Sequence, residues 1–340
     1  MSVDSIVLHV DVDEFVAAVE VLRHPELAGA PVIVGGRGDP TKRGVVATAS
    51  YEARRYGVHS GMPLRVAARK CAAGVFLPVD REAYEAASEG VMRILGSFAD
   101  SLEVWGWDEA FLELRGDPEV VARAIQAAVK ADIGLSCSVG IGDNKLRAKT
   151  ASGFAKPAGI YRLTAAEWFG VMGARGTEQL WGVGRKTARR LAEGGITTVR
   201  ELAAADEQEL GTSFGSRTGP RLKALARGED SSPVDSTPRR AKSSSLELTF
   251  DEDVEDTAVI MSEVERMARA LADRVDSTDR LVSGVTVKLR FAPFVTRTRS
   301  IRLDEPSTDV EKIVVAAAGA VALFEIDRPV RLVGVRTALQ

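Results

Sequence analysis

Apolar and polar positions follow two rhythms along this chain, and the changes of rhythm mark its parts. Residues 5–10 and 102–107 are short apolar runs that read as buried strands, and each is followed at once by acids, Asp11-Val12-Asp13 and Asp108-Glu109. Residues 80–98 and 118–131 carry helical spacing, so the region from Met1 to about Arg162 reads as α+β. From Ala165 to Gly228 the strand rhythm stops, and short amphipathic helices alternate with turns at Gly173, Gly182, Gly184, Gly194 and Gly195, the pattern of a small helical domain. Residues 229–243 are rich in proline and serine, show no periodicity and read as a linker that tethers a mobile domain. The rest gives a strand at 245–250, a helix at 254–275, strands at 282–291 and 296–303, a helix at 308–323 and a strand at 331–337. That β-α-β-β-α-β order predicts a four-stranded sheet with two helices on one face.

Composition narrows the class. A chain of 340 residues is expected to form several domains, and 45% hydrophobic with 27% charged residues is the balance of an ordinary globular protein. The longest apolar runs, such as residues 313–323, are too short to span a bilayer, and the N-terminus lacks a basic flank with an apolar signal core. A cytoplasmic protein without membrane contact is therefore expected. Cys71 and Cys137, the only cysteines, lie far apart in apolar settings and read as core residues, which argues against a disulfide framework or a zinc site.

A net charge of −3 and a pI near 5.8 exclude binding to nucleic acid through bulk charge, so such binding needs segregated patches. Lys288, Arg290, Arg297, Arg299 and Arg302 form one candidate, on strand-like segments expected to present a single positive face. A solvated strand face that resists edge pairing has the same signature, and charge alone does not choose between them.

The acidic pairs carry the chemistry. Carboxylates cost several kcal/mol to gather out of water without a compensating positive charge, and an all-oxygen cluster suits a hard divalent cation rather than zinc. Neighbouring residues on a regular strand point to opposite faces, so Asp108 and Glu109 can converge only at a strand end or turn, whereas Asp13, two along from Asp11, meets no such difficulty. In the helical region, Leu180-Trp181-Gly182-Val183-Gly184-Arg185-Lys186-Thr187 leads straight into a helix, in the manner of a helix-hairpin-helix whose glycine amides and helix N-terminus take one DNA phosphate. Gly182, Gly184, Lys186 and Thr187 would carry that contact. A poorer copy lies at residues 214–221.

Several ordered motifs together resemble a known family. They are Asp11-Val12-Asp13-Glu14-Phe15, Ser50-Tyr51-Glu52-Ala53-Arg54 with Gly57 and Gly61-Met62-Pro63, Trp107-Asp108-Glu109-Ala110, Ser138-Val139-Gly140-Ile141-Gly142 with Asn144-Lys145 and Ala148-Lys149, and Ala155-Lys156-Pro157. The chain resembles the Y-family DNA polymerases of the DNA polymerase IV branch over essentially its whole length. The resemblance implies a right-hand polymerase with a palm at 1–20 and 77–164, fingers at 21–76, a thumb at 165–228, the linker at 229–243 and a little finger at 244–340. It places two Mg²⁺ ions, with Mn²⁺ able to substitute, on Asp11, Asp108, Glu109 and the Val12 carbonyl. It also places the triphosphate on Tyr51, Arg54 and Lys156, with Thr48 and the amides of Glu14, Phe15 and Val16 nearby. Primer-template DNA and dNTPs would be the partners of a monomeric, low-fidelity, translesion enzyme.

Two departures from the family pattern stand out. Val16 occupies the position where members usually carry a Phe or Tyr beneath the incoming sugar, so weak discrimination against rNTPs is expected. Small residues at Gly44, Thr48 and Gly61 fit a roomy site. The sequence ends just after the last expected strand, which leaves a sliding-clamp peptide without a place. A non-catalytic DNA-binding homologue, a metal-dependent nuclease and a nucleotide cyclase are the other readings of the same residues.

Overall fold

The computed structural model describes residues 6–238, 240–276 and 278–340, so Ser5, the expected start of the first strand, and Arg239 of the expected linker lie outside it. The chain forms two compact units, one made of Met1–Gly38, Ala47–Ser60 and Lys70–Thr237, the other of Asp39–Val46, Gly61–Arg69 and Pro238–Gln340.

The elements before the helical region are β1 (Ile6–Val12), α1 (Phe15–Arg23), β2 (Val32–Val34), β3 (Thr48–Ala49), α2 (Tyr51–Arg55), α3 (Leu64–Lys70), β4 (Val75–Leu77), α4 (Arg81–Gly96), β5 (Ser101–Val104), β6 (Glu109–Leu114), α5 (Pro118–Ile133), β7 (Cys137–Gly142), α6 (Lys145–Ala155) and β8 (Ile160–Leu163). A five-stranded sheet runs in the order β5-β6-β1-β7-β8, and a three-stranded sheet in the order β3-β2-β4. Leu8, Val10 and Val12 of β1 alternate into a core shared with Val91 and Leu95 of α4 and with Ile125 and Val129 of α5. The other face of the sheet takes α6. Gly140 permits that approach, because a Cβ there would lie 2.0 Å from the Ala148 carbonyl oxygen and 2.2 Å from the Ser152 nitrogen. Asn144 caps α6 by accepting from the Arg147 N–H at 2.8 Å, and its own amide donates to the Gly228 carbonyl at 2.8 Å.

The helical region holds α7 (Trp168–Met172), α8 (Arg185–Glu193), α9 (Val199–Ala204), α10 (Glu207–Phe214) and α11 (Thr218–Ala226) around Trp168, Leu191, Leu202 and Leu222, as the loss of strand rhythm predicts. Trp168 donates its indole N–H to the Ala226 carbonyl at 2.8 Å, closing the group on itself.

Among its described residues the stretch after it has no regular structure before Ser243, yet its first part is fastened down. Val234 is buried against Val7, Phe111 and Ala148; Ser101 donates to its carbonyl at 3.1 Å, and the Asp235 N–H donates to Glu103 at 3.1 Å. One valine in a polar stretch is too weak a sequence signal to show this.

The last hundred residues form β9 (Ser243–Val254), α12 (Thr257–Asp276), β10 (Val282–Phe291), β11 (Val295–Ser307), α13 (Val310–Ala322) and β12 (Val330–Leu339). The order β11-β10-β12-β9 is the four-stranded sheet that the pattern predicts, with Val285, Val287, Leu289 and Phe291 turned into a core shared with both helices. In the same unit Arg43 donates to the Phe250 carbonyl at 3.1 Å and pairs with Asp253 at 2.6 Å, so Asp39–Val46 and Gly61–Arg69, expected with the fingers at 21–76, group with this sheet.

Candidate active site

β1 and β6 run antiparallel, with Asp11 opposite Glu109 and His9 opposite Phe111. Residues opposite one another in such a pair share a face, so the two carboxylates are neighbours. β5 stops at Val104, short of the expected end at Trp107, and Asp108 falls in the bend that precedes β6. The Val12 N–H donates to the Asp108 carbonyl at 2.8 Å and ties that bend to the end of β1. Asp108 thereby escapes the strand alternation that would have turned it away from Glu109.

Two of these acids already face cations. Lys156, at the C-cap of α6, donates to Asp11, and Lys149 of α6 donates to Glu109. His9 lies fully buried with Nε2 at 3.4 Å from the same Glu109 oxygen, Oε2. The His9 edge and then the Lys149 ammonium hold the Glu109 carboxyl down at about 2. Asp108 pairs with no cation among the described residues. Burial, with Asp11 and Glu109 adding to it, pushes its carboxyl up. Burial also lowers the pKa of His9.

Asp13 has a different job from Asp11. It accepts from the Ser138 hydroxyl at 2.8 Å, the Tyr51 hydroxyl at 3.0 Å and the Ala158 N–H at 2.9 Å, so its oxygens are spent on positioning Tyr51 and the turn after Lys156. Tyr51 opens α2, its N–H donates to the Glu14 carboxylate, and burial raises its phenol pKa. Arg54 sits one turn on, its guanidinium 5.1 Å from the Tyr51 ring and its Nε bonded to the Ala49 carbonyl at 2.9 Å. Thr48 lies on β3, two residues before the Ser50 hydroxyl that caps α2. Phe15 and Val16 form the first turn of α1 and are 3% and 9% exposed, at the margin of the sheet's core.

Among the described residues no three His, Cys, Asp or Glu side chains converge closely enough as they stand to hold a metal ion. The reason is visible: Asp11 and Glu109 are each drawn to a lysine. The donor set still fits a hard divalent cation, since it consists of oxygens only and leaves Asp108 half-buried with no direct ion-pair partner among the described residues.

The expected DNA contacts fall into two groups. Gly182, with φ of 90°, turns the chain into α8, and Gly184 caps that helix without a side-chain partner for its first amides; Lys186 and Thr187 sit in that first turn. The little-finger cations do not share one face. Leu289 pairs with Arg297 and Val287 with Arg299, so both arginines project to the side of the core, where Arg299 lies 5.3 Å from the Phe324 ring and Arg297 5.3 Å from the Phe291 ring. Lys288, Arg290 and Arg302 lie on the opposite, open face. Register decides which face a strand residue takes, and the sequence does not contain the register.

Carboxylates at the facing ends of β1 and β6, lysines from α6 and the neighbouring helix of Tyr51 and Arg54 make up the candidate site. The impB/mucB/samB family matches residues 10–153, its C-terminal domain residues 241–338, and the DNA polymerase-iota thumb domain residues 178–230. DNA polymerase IV 2 of Mycobacterium tuberculosis is 50% identical over 98% of this chain and 97% of its own length. DNA polymerase IV of Methanoculleus marisnigri is 42% identical over 98% and 94%. A solved Y-family DNA polymerase chimera superposes with a TM-score of 0.89 at 27% identity, covering 98% of both chains. The chain belongs to the Y-family DNA polymerases, in the DNA polymerase IV branch, and is a DNA-directed DNA polymerase.

Proposed function

We propose that this polymerase extends a primer 3′-hydroxyl across damaged template at the site built by Asp11, Asp108 and Glu109, with weak discrimination between sugars. The observation that supports the reading is the placement of those acids at the facing ends of β1 and β6, in the unit that also holds Lys156, Tyr51 and Arg54. Asp11, Asp108, Glu109 and the Val12 carbonyl would hold two divalent ions, Mg²⁺ with Mn²⁺ able to substitute, and these would lower the pKa of the primer hydroxyl and neutralise pyrophosphate. Lys156 and Arg54 bind the triphosphate, Arg as a bidentate fork and Lys as a point charge, with Tyr51, Thr48 and the amides of Glu14, Phe15 and Val16 orienting it. Asp13 fixes Tyr51 for that task. No side chain serves as nucleophile.

Gly182, Gly184, Lys186 and Thr187 take a phosphate of the duplex, and Lys288 and Arg290 face the backbone from the open side of the little finger, with Arg297 and Arg299 at its edge strand. Palm at 1–20 and 77–164, fingers at 21–76, thumb at 165–228, linker at 229–243 and little finger at 244–340 are the working boundaries of an enzyme that acts as a monomer in the cytoplasm.

Val16 is the sugar gate. A branched three-carbon side chain leaves room where a ring would meet a ribose 2′-hydroxyl, and a hydroxyl is rejected strongly only where a wall excludes it or a polar group is left unpaired. Val16→Phe is therefore expected to raise dNTP preference on the order of 100-fold. Primer extension with dNTPs and rNTPs in parallel, under Mg²⁺ or Mn²⁺ and with Asp108→Ala as control, tests the whole reading. Extension with both sugars, lost in the variant, is expected. Shortened DNA points to a nuclease, pyrophosphate without a longer primer to a cyclase, and unchanged sugar preference in Val16→Phe removes the gate.

A further inference from the structure

A polar residue at the head of a helix ordinarily spends its side chain on that helix's own first N–H groups. Glu14 heads α1 and makes no such side-chain cap. Its carboxylate accepts instead from the main-chain N–H of Tyr51, the first residue of α2, 37 positions along the chain. The donor is a peptide N–H, so the direction of this bond does not depend on the protonation of any side chain.

The backbone takes part in the same detour. Glu14 stands at φ 42° and ψ 36°, a left-handed conformation that residues with a Cβ rarely adopt. Among the described residues other than glycine only Ala158 and Phe294 also have positive φ, and Ala158 belongs to the same junction, its N–H donating to Asp13 at 2.9 Å. A left-handed residue that leads into right-handed ones turns successive N–H groups toward one concavity, which suits an anion. A carboxylate aimed into that concavity would repel a phosphate, so its diversion to Tyr51 matters for charge as well as for space.

We propose that the Glu14 side chain is a positioning residue for the triphosphate: by capping α2 in place of its own helix, it leaves the amides of α1 open to an anion and fixes Tyr51 and Arg54 relative to them. Asp13 holds the same tyrosine from the other end, its carboxylate 3.0 Å from the phenol oxygen. Two consecutive acids of one turn thus fasten Tyr51 at its main chain and at its tip, and the Arg54 guanidinium lies 5.1 Å from the centroid of its ring. With one contact alone α2 could pivot about it. With both, the two halves of the site form one preassembled body, which lowers the ordering cost of binding. This inference rests on the proposed triphosphate role of Tyr51, Arg54 and the α1 amides.

Hydrogen exchange at the Tyr51 amide tests the clamp in the full-length protein without metal, DNA or nucleotide. In wild type that N–H is expected to exchange about 10-fold or more slowly than one in an open turn, and exchange at the open-turn rate overturns the proposal without any variant. Glu14→Ala is expected to lose the protection, and Glu14→Gln, which keeps an oxygen acceptor, to retain most of it. Primer extension then reads the consequence. Glu14→Ala should raise KM for dNTP about 10-fold and change kcat far less, with Glu14→Gln recovering most of the loss. A wild-type KM in Glu14→Ala, or a defect confined to kcat, overturns the positioning role. Arg54→Ala tells two failures apart: if it raises KM while Glu14→Ala does not, the positioning role alone is wrong, and if neither does, the triphosphate reading beneath it is wrong as well.

Discussion

The five-stranded palm sheet and the four-stranded little-finger sheet both carry charged side chains beside an apolar core, but they treat that charge differently. In the palm, Lys145 and Glu103 meet at 2.8 Å with each side chain 7% exposed, and Lys149, Lys156 and Asp13 are likewise matched to partners inside the fold. In the little finger the pair of Lys288 with Glu247, at 2.6 Å, leaves its side chains 28% and 46% exposed. A buried ion cannot be left without its partner, whereas an exposed pair is screened by water and adds about 0.2–1 kcal/mol. Palm charges therefore belong to the fold and the chemistry together. The exposed pair of the little finger adds little to the fold.

The strongest challenge to this contrast is to remove one palm partner. Lys145→Met removes the ammonium that lies 2.8 Å from buried Glu103, which also accepts from Trp105 and from the Asp235 N–H. The expected loss is about 3–5 kcal/mol of unfolding free energy, read by urea denaturation. A loss under about 1 kcal/mol would place this pair in the same class as the exposed ones.

Next in size, the two adjacent acids at the site should respond to pH with opposite signs. Glu109 is held down at about 2, so the stability it contributes is complete above the ordinary carboxylate value and drains away as pH falls toward 2. Asp108 is pushed up, so its ionised form costs stability at neutral pH, and that cost is relieved as acid protonates it. Denaturant midpoints at neutral and acid pH should show wild type losing ground to Glu109→Gln on acidification and gaining on Asp108→Asn. Asp108→Asn should also be the more stable protein at neutral pH, by about 1 kcal/mol. A site that sacrifices stability for charge is expected to behave so.

The smallest stability effects belong to the little finger. Lys288→Ala and Arg290→Ala should stay within about 0.5 kcal/mol of wild type while each lowers DNA affinity and reduces the salt slope of binding by roughly 1. Arg299→Ala separates the two faces. Because Arg299 donates to the Leu323 carbonyl at 3.0 Å and lies over Phe324, it should cost more stability and affect the salt slope less than Lys288→Ala.

What the sequence reveals follows the same divide between local pattern and long-range placement. Alternation and helical spacing mark the little finger correctly, because strand and helix periods are local properties that survive in any register. The acids of the site stand out because each follows an apolar run. Asp13 could not be told from Asp11 by sequence, since its role depends on Ser138 and Ala158, far away in the chain. His9 lies inside an apolar strand and gives no signal until Ser152 is brought to it by α6. Arg297 and Arg299 alternate like Lys288 and Arg290, and only the pairing of Leu289 with Arg297 sends them to the other face.

The most direct test of the account is single-turnover primer extension by wild type and Asp108→Asn across a divalent-ion titration, with DNA affinity measured on the same samples. If Asp108 holds its charge for chemistry rather than for folding or DNA binding, extension falls by about 10³-fold or more, several kcal/mol of transition-state stabilisation. DNA affinity and fold should remain intact. Extension that persists in Asp108→Asn, or that is lost only in step with DNA binding, would contradict it.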